Sequence, residues 1–378
     1  MKVAFDITCL ASPRTGIGNY SISLLRALAA LPEWLEFVLY GDSWRGYKFL
    51  KNLDFAEKQI SSGFSPFPKT LVSLAWEWLR VSPIGLWGKK PDLYHFLNYP
   101  NVPALKKPVV ASVYDAIPLI MPDDSPAGLV RLWRKRARRD VRNVTRFIAI
   151  SSATARDMTE VLDIPAEKIR VIYLAKDTSF VPLMEPELLS PVLARYQVKP
   201  PYILSLGTLQ PRKNFLRLMD AYALARKRCD LPHTLVIGGG RGWQDEEILR
   251  RPAELGIEHL VRFTGRMREE DLPIITAGAD LFAFPSLYEG FGLPVVEAMG
   301  CGVPVVAANA TSLPEVVGDA GLLFSPTDVE AMAEALARPL LDRALWQRMR
   351  EAGLKQAALF TWESTAIQTM NLYKELLG

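Results

Sequence analysis

The stretch that most constrains the fold reads Pro285-Ser-Leu-Tyr-Glu-Gly-Phe-Gly-Leu-Pro-Val-Val-Glu-Ala-Met-Gly-Cys-Gly-Val-Pro-Val-Val306. The apolar run Leu281–Phe284 directly before this stretch predicts a buried strand, and the glycines that follow predict a loop. Pro294 is tolerated only near the start of a helix, and Gly300 predicts the end of that short helix. Val303–Ala307 predicts the next strand. Strand, glycine-rich loop, helix and strand in this order are typical of a parallel α/β sheet.

The same alternation of strand-like and helix-like runs continues through the chain. Further buried strands are predicted at Lys2–Ile7, Phe37–Tyr40, Leu93–Phe96, Val109–Val113, Phe147–Ile150, Tyr202–Leu206, Leu235–Gly238 and Val261–Thr264. Helices are predicted at Phe215–Arg226, Asp328–Leu336, Leu345–Ala357 and Ala366–Leu377. Alternation of this kind predicts parallel sheets with helices on both faces, so the expected fold class is α/β, doubly wound and Rossmann-like.

Length and proline content predict two domains. The chain has 378 residues, whereas single hydrophobic cores stop growing at about 250–300 residues. The pattern lapses in a proline-rich stretch, which predicts a linker at 186–200 between an N-terminal domain at 1–185 and a C-terminal domain at 201–361. Each domain opens with a strand, a glycine-containing turn and a helix. Because ligands of such sheets bind outside the carboxyl ends of the strands, both turns are expected at one shared cleft.

Composition narrows the class of protein. Hydrophobic residues make up 49% of the chain and charged residues 23%, with a net charge of +4. This balance is typical of a globular protein and fits phosphorylated ligands or an anionic membrane, and no nucleic acid is expected as a partner. The three cysteines and three histidines are dispersed, which predicts neither disulfides nor a metal site and favours the cytoplasm.

Two carboxylates and two cations predict an anion-binding site. Glu289 precedes the short helix and Glu297 lies about one turn inside it, so they can hold hydroxyls on two parts of one ligand. The helix N-terminus suits the phosphates of that ligand, and Arg212 and Lys213 in the turn after Tyr202–Leu206 can neutralise a diphosphate. The alternative is a capped helix and an exposed basic turn. The chain has no Asp-x-Asp pair to hold a metal on the diphosphate, so neither metal nor cofactor is expected.

Five motifs in fixed order make the sequence similar to glycosyltransferase family 4, whose members are retaining enzymes with the GT-B fold. They are Leu206-Gly-Thr-Leu-Gln-Pro-Arg-Lys-Asn214, Phe263-Thr-Gly265, the Glu289–Glu297 element, Leu313-Pro-Glu-Val-Val317 and Phe360-Thr-Trp362. The resemblance covers nearly the whole chain and is densest from Tyr202 onward. It implies two Rossmann-like domains that face a central cleft, with a C-terminal helix at 362–378 that crosses back to the N-terminal domain.

The resemblance also implies roles for the matching residues. Glu289 is expected to contact hydroxyls of the donor sugar, and Glu297 is expected to bind the nucleotide ribose. The other residues expected at the donor are Gly16, Gly18, Gly207, Thr208, Arg266, Phe291, Gly292 and Leu293. Many family members have arginine where this chain has Thr208, so Arg212 is expected to supply that charge.

On the acceptor side, Asp115 is the residue expected to meet the acceptor hydroxyl, and an aspartate that merely shapes a turn is the alternative. Tyr114 stands where related sequences often have a histidine that reaches the donor sugar, so that contact is either lost or made through the phenol. The glycine-rich run Leu235–Trp243 lacks the third glycine of a dinucleotide fingerprint, which predicts a turn that lines the cleft at most.

The sequence of the 206–214 motif resembles the corresponding motif of bacterial mannosyltransferases of surface-polysaccharide assembly. It implies transfer of a hexosyl group to a hydroxyl of a glycan or lipid-linked acceptor, with GDP-mannose as the first donor and UDP-sugars as the second. A sugar phosphorylase, an epimerase and a non-catalytic scaffold on the same fold are the other classes considered.

A basic segment and an aromatic segment bear on location. Arg131–Arg142 contains seven basic residues and one acidic residue at helical spacing, which predicts an amphipathic helix with a cationic face. A solvated face is one interpretation, and contact with anionic lipid at the inner face of the plasma membrane is the other. The tryptophans of 76–87 would add either an interfacial surface or core.

Overall fold

The protein, studied as a computed structural model, is described over residues 1–11, 16–32, 35–41, 60–64, 90–99, 102–183 and 185–378. The chain divides into two compact units. The first unit comprises Met1–Leu174 together with Thr361–Gly378, and the second unit comprises Ala175–Phe360. Each unit has its own parallel sheet.

The sheet of the first unit contains seven strands among the described residues. They are β1 (Lys2–Asp6), β2 (Glu36–Gly41), β3 (Ile60–Phe64), β4 (Leu93–Phe96), β5 (Val109–Val113), β6 (Arg146–Ala149) and β7 (Ile169–Val171). Their order across the sheet is β3-β2-β1-β4-β5-β6-β7, and all pairs are parallel. The direction of travel across the sheet therefore reverses between β1 and β4, which is the topological switch point of this unit.

The sheet of the second unit repeats this arrangement with six strands. They are β8 (Tyr202–Leu206), β9 (Thr234–Gly238), β10 (Val261–Gly265), β11 (Leu281–Phe284), β12 (Val305–Ala308) and β13 (Leu322–Phe324). The order is β10-β9-β8-β11-β12-β13, again all parallel. The switch point lies between β8 and β11, so the loops that leave these two strands emerge side by side at the carboxyl edge of the sheet.

Helices alternate with the strands along the described chain. They are α1 (Gly16–Ala30), α2 (Ile117–Ile120), α3 (Ala127–Asp140), α4 (Ser152–Leu162), α5 (Leu189–Tyr196), α6 (Phe215–Arg228), α7 (Glu246–Glu254), α8 (Leu272–Ala277), α9 (Leu293–Gly300), α10 (Leu313–Val317), α11 (Val329–Leu341), α12 (Arg343–Ala357) and α13 (Trp362–Leu377). The predicted α/β class with two doubly wound sheets is confirmed. The structure contains no described helix that is long and apolar enough to span a bilayer.

The C-terminal helix α13 belongs to the first unit and is joined to its sheet by buried polar contacts. The Tyr373 hydroxyl lies 2.5 Å from Nδ1 of His95, whose Nε2 lies 2.9 Å from the Ser112 hydroxyl. His95, Ser112 and Tyr373 are all fully buried. Nearer its start, α13 is held by Thr365, whose hydroxyl donates to the Tyr173 carbonyl at 2.9 Å. These contacts join chain segments that lie about 200–280 residues apart in sequence.

The boundary between the units differs from the predicted one. The division falls between Leu174 and Ala175, and the segment predicted as a linker, 186–200, contains helix α5 with Val192, Leu193 and Tyr196 buried. Pro191 lies in the first turn of α5, where its missing N–H has no helical partner to lose. Proline content alone therefore misplaced the boundary. The tryptophans of 76–87 lie outside the described residues.

Candidate active site at the β8–β11 switch point

The loop after β8 carries two of the predicted cations. Gly207 directly follows the strand, and Pro211–Lys213 form a short 3₁₀ turn that leads into α6. Asn214 follows in the left-handed region with φ of 60°. Its buried side-chain amide donates to the Pro285 carbonyl at 3.0 Å and to the Pro326 carbonyl at 2.7 Å, so it ties this turn to the start of the β11 loop.

Lys213, Arg212 and Glu289 meet in one ion-paired cluster. Nζ of Lys213 lies 2.5 Å from Oε1 of Glu289, and the nearest Arg212 nitrogen lies 3.2 Å from the same oxygen. Each of the three side chains is only 12% exposed. Lys213 also lies 5.1 Å from the centre of the Phe284 ring. The predicted site residues that are 76 positions apart in sequence are thus brought into direct contact.

The electrostatics of this cluster favour the charged carboxylate. Burial by itself would raise the pKa of Glu289, but the charges of Lys213 and then Arg212 outweigh that effect, so the pKa lies below its usual value. Charged groups are buried only when they are paired. Two cations share one carboxylate here, which leaves one net positive charge at the edge of the sheet. That charge is suited to a diphosphate.

The main chain around Glu289 is held by the side chains of the two residues that directly precede α10. The Glu289 N–H donates to the Thr311 hydroxyl at 3.0 Å. The Ser312 hydroxyl lies 3.0 Å from the Glu289 carbonyl and 2.8 Å from the Phe291 carbonyl. Phe291 is buried and packs edge-on against Phe360, with the two ring centres 5.5 Å apart. Sequence reasoning missed Thr311 and Ser312, although they directly precede the recognised Leu313-Pro-Glu motif.

Gly292 directly precedes the short helix α9, whose start close to Pro294 is the one that the sequence predicts. Its φ is 103°, and a Cβ at this position would lie 2.7 Å from Cδ2 of Leu313. Both the backbone angle and the space therefore require glycine. Leu293 and Pro294 form the first turn of α9. Because the N–H groups of a first helical turn have no partners within the helix, this end of α9 can bind an anion.

Glu297 lies in α9 and is partly buried. Burial and then the charge of Asp177 raise the pKa of Glu297, Lys176 opposes them, and the resulting pKa is about 7. Lys176 lies in the same unit, donates to the Phe180 carbonyl at 2.8 Å and packs against Gly300. Near neutral pH the Glu297 carboxyl can therefore both donate and accept hydrogen bonds, which suits paired hydroxyls of a ribose.

The remaining predicted donor residues of the second unit lie along the same edge. Gly207 packs against the stem of Lys213, since a Cβ there would lie 3.1 Å from Cδ and Cε of the lysine. Thr208 is exposed one residue further on, and Arg266 is exposed beyond β10, two strands away from β8. Thr208 brings no charge to the cluster, whereas Arg212 lies 3.2 Å from Glu289, and its action in place of an arginine at position 208 stays a prediction.

The predicted residues of the first unit lie in two places, at the start of α1 and in the loop after β5. Gly16 begins α1, and Gly18 is buried two residues later in the same helix. Asp115 follows β5, and its carboxylate accepts from the Ile117 N–H at 3.1 Å, which is the turn-shaping role kept as the alternative. The Tyr114 hydroxyl donates to the Leu97 carbonyl at 2.6 Å, and its ring packs edge-on against Tyr20.

The structure adds little to the prediction that the site works without a metal ion. Among the residues that the structure describes, no group of three or more His, Cys, Asp or Glu side chains is arranged to hold a metal ion. A site that works without a metal or cofactor stays a prediction.

Comparison with known proteins agrees with this geometry. The family model for glycosyl transferases group 1 matches residues 194–356, and the model for Glycosyltransferase Family 4 matches residues 14–180. O-antigen chain mannosyltransferase B of Escherichia coli is 35% identical over 389 residues, covering 100% of both chains. MMP alpha-(1->4)-mannosyltransferase of Mycolicibacterium hassiacum is 30% identical over 286 residues, which cover 72% of this chain and 66% of that protein.

Solved structures show the fold. HepE of Anabaena, in a crystal structure with UDP and glucose, superposes with a TM-score of 0.74 at 21% identity, covering 100% of both chains. WaaG, a glycosyltransferase involved in lipopolysaccharide biosynthesis, superposes with a TM-score of 0.69 at 17% identity. The full-length relative at 35% identity and the two family matches together carry the assignment: this chain is a glycosyltransferase with the GT-B fold and belongs to glycosyltransferase family 4.

Proposed function

We propose that the protein transfers a mannosyl group from GDP-mannose to an acceptor hydroxyl, with retention at the anomeric carbon. The observation that carries this proposal is the cluster of Lys213, Arg212 and Glu289 at the β8–β11 switch point. Mannose is favoured because O-antigen chain mannosyltransferase B, similar over its whole length, is named for that sugar. Polysaccharide or glycolipid assembly, with a glycan or lipid-linked acceptor, is the setting proposed for the reaction.

Each member of the cluster has a role in this reaction. Glu289 would hold hydroxyls of the sugar, while Lys213 and Arg212 would neutralise the diphosphate as the bond from the anomeric carbon to the phosphate oxygen breaks. The acceptor oxygen would form the new bond on the same face, and its proton would pass to the departing phosphate oxygen. Glu297 would bind the ribose. Fixed charges of this kind are worth about 3–4 kcal/mol each in the transition state.

A panel of nucleotide sugars tests the donor. Ligands that bind only the folded state stabilise it by RT ln(1 + [L]/Kd), which is about 2.7 kcal/mol at a hundredfold excess over Kd. We expect GDP-mannose and GDP to raise the melting temperature more than UDP-glucose, UDP-galactose and UDP at equal concentrations. The second candidate is a UDP-sugar, favoured by the UDP and glucose in the HepE crystal, and a larger shift with UDP ligands would replace GDP-mannose by it.

Turnover separates the other classes of enzyme. A transferase requires an acceptor and releases a nucleoside diphosphate. Reaction that depends on inorganic phosphate would indicate a phosphorylase, and interconversion of donors without acceptor would indicate an epimerase. A folded protein that binds the donor but shows no turnover with any acceptor glycan would indicate a non-catalytic scaffold.

We also propose that α3 holds the protein on an anionic membrane at the inner face of the plasma membrane. Val130, Trp133 and Ala137 bury one side of α3, and Asp140 is buried and accepts from the Val102 N–H at 3.1 Å. The opposite side exposes Arg131, Arg134, Lys135 and Arg138, and the short turn that follows α3 exposes Arg142. Within α3 the only acidic side chain therefore points away from that cationic side.

Vesicle binding tests this surface. The triple variant Arg131→Gln, Arg134→Gln, Lys135→Gln should bind phosphatidylglycerol vesicles about a hundredfold more weakly, since each basic residue near such a surface is worth about 1 kcal/mol. The matched control carries the same charge change on α12, at Arg343, Arg348 and Lys355. Equal binding by the two triple variants, or wild-type binding to phosphatidylcholine vesicles as strong as to anionic ones, would contradict the proposal.

A further inference from the structure

Trp243 is a large aromatic side chain that the fold leaves in solvent. It is 51% exposed and is the one aromatic among the large apolar residues that the described part of the chain exposes. Tryptophan is highly buried on average, and exposed rings are enriched where a protein meets a partner or ligand. Trp243 follows β9, the neighbour of β8 in the sheet. It therefore lies at the same edge as Lys213, Arg212 and Glu289.

The loop that carries Trp243 is locked against the β8 loop. A Cβ on Gly239 would lie 1.9 Å from the Gly207 carbonyl oxygen, and a Cβ on Gly242 would lie 2.6 Å from the Leu209 carbonyl oxygen. The Leu209 N–H also donates to the Gly240 carbonyl at 3.0 Å. Only glycines permit this approach of two main chains. The position of Trp243 is therefore fixed relative to the cluster of Lys213, Arg212 and Glu289.

The residues that flank Trp243 fix its backbone. Arg241 binds both carboxylate oxygens of Asp245, at 2.7 and 3.0 Å, and so bridges across the tryptophan. Gln244, the next residue, has a φ of 55°. This backbone angle is unfavourable for residues other than glycine, asparagine and aspartate. Backbone strain of this kind is concentrated at ligand-binding sites. The exposed indole is thus presented by a rigid turn.

We propose that Trp243 is the platform on which the nucleobase of the donor stacks. This inference rests on the proposed function, because it takes the diphosphate of the donor to lie at Lys213 and Arg212. Adjacent strands are about 4.8 Å apart, so a base attached through ribose to that diphosphate is within reach of the β9 loop. Base–aromatic stacking tolerates any base, since every base has a π-face. Trp243 therefore provides affinity for the nucleoside, while polar groups nearby select the base.

Calorimetric titration of the full chain with GDP and with inorganic pyrophosphate tests the platform. In Trp243→Ala we expect the Kd for GDP to rise about tenfold or more, while the Kd for pyrophosphate, which has no base, stays at the wild-type value. Trp243→Phe should recover most of the affinity for GDP. Leu249→Ala, which removes another exposed apolar side chain from the neighbouring helix α7, is the matched control. In kinetics the alanine variant should raise the donor KM and leave kcat at saturating donor nearly unchanged.

Four outcomes would overturn the proposal. The first is a wild-type Kd for GDP in Trp243→Ala. The second is an equal loss of GDP and pyrophosphate binding, which would indicate damage to the loop. The third is a raised acceptor KM with unchanged GDP affinity, which would indicate that Trp243 binds the acceptor. The fourth is a folded wild-type protein that binds neither GDP nor UDP. That last result would overturn the proposed function itself, and it differs from the others because it is seen without any substitution.

Discussion

In a Lys213→Met variant we expect kcat to fall about 10²–10³-fold, the usual effect of removing one preorganised charge from a transition state. Methionine retains an unbranched stem to pack on Gly207, where the lysine Cδ and Cε lie, so the variant removes the charge with little loss of packing. The remaining Glu289 keeps Arg212 at 3.2 Å. Steady-state kinetics with GDP-mannose and an acceptor give kcat, and circular dichroism shows whether the variant is folded.

The Glu289→Gln variant separates the role of the carboxylate in the cluster from the role of the two cations. Glutamine is nearly isosteric but carries no charge and cannot form the ion pair with Lys213, so turnover should again fall by orders of magnitude. GDP lacks the sugar that Glu289 is proposed to hold, and its affinity should therefore be retained in Glu289→Gln and reduced in Lys213→Met. The two side chains are in contact, so the effects in the double variant should be smaller than their sum.

The matched control for the cluster is Lys227→Met, which makes the same change at an exposed lysine of α6. We expect wild-type kinetics in this control. Turnover near the wild-type value in both folded site variants would show that the site is assigned wrongly. A loss of folding in Lys213→Met with retained activity in Glu289→Gln would instead make the ion pair a structural feature of the second unit.

Sequence reasoning predicted the cluster residues because each lies in a loop of distinctive composition directly after an apolar strand. It could not show that they touch. Lys213 and Glu289 are 76 residues apart, and their contact depends on β8 and β11 being neighbours in the sheet. That adjacency comes from the strand order, which local periodicity does not encode. The anchors Thr311 and Ser312 were missed for the same reason, since they reach Glu289 from the far end of β12.

Regular elements were predicted where the apolar runs were continuous. Strands β4, β5, β8 and β11 match their predicted bounds residue for residue. Strand β3, Ile60-Ser-Ser-Gly-Phe64, has too few apolar residues to be recognised, and β13 has only three residues with Leu323 37% exposed. Helix α5 was not predicted because it contains Pro191 and lies between further prolines. The edge strands β3 and β13 and the short helix α5 thus depend on tertiary packing more than on the local sequence pattern.

His95 was dismissed at the level of sequence as one of three dispersed histidines, yet we expect it to make the first unit sensitive to acid. It is fully buried between Ser112 and Tyr373. Burial lowers its pKa from 6.5 to about 3. The unfolded chain therefore binds a proton below about pH 6.5 that the folded chain does not bind until about pH 3, so stability is lost as pH falls through this window.

The expected size of this effect follows from about 1.4 kcal/mol per pH unit. At about pH 5 the cost is near 2 kcal/mol, or about 4–8 °C in melting temperature for a unit of this size. His95→Gln cannot titrate, so it should be less stable than wild type at neutral pH but lose less on acidification. Calorimetry of the full chain at about pH 7.5 and pH 5 measures both differences, with His259→Gln, which replaces an exposed histidine of the second unit, as control.

The decisive comparison is the change in melting temperature between the two pH values, not its value at either one. Wild type and His95→Gln share every other titrating group of the first unit, so those contributions cancel in the difference between the two proteins. An equal loss of melting temperature in both would mean that His95 is not the group that responds to acid. A smaller loss in His95→Gln would place the acid-sensitive contact where α13 meets β4, since the chain end is held there through Tyr373.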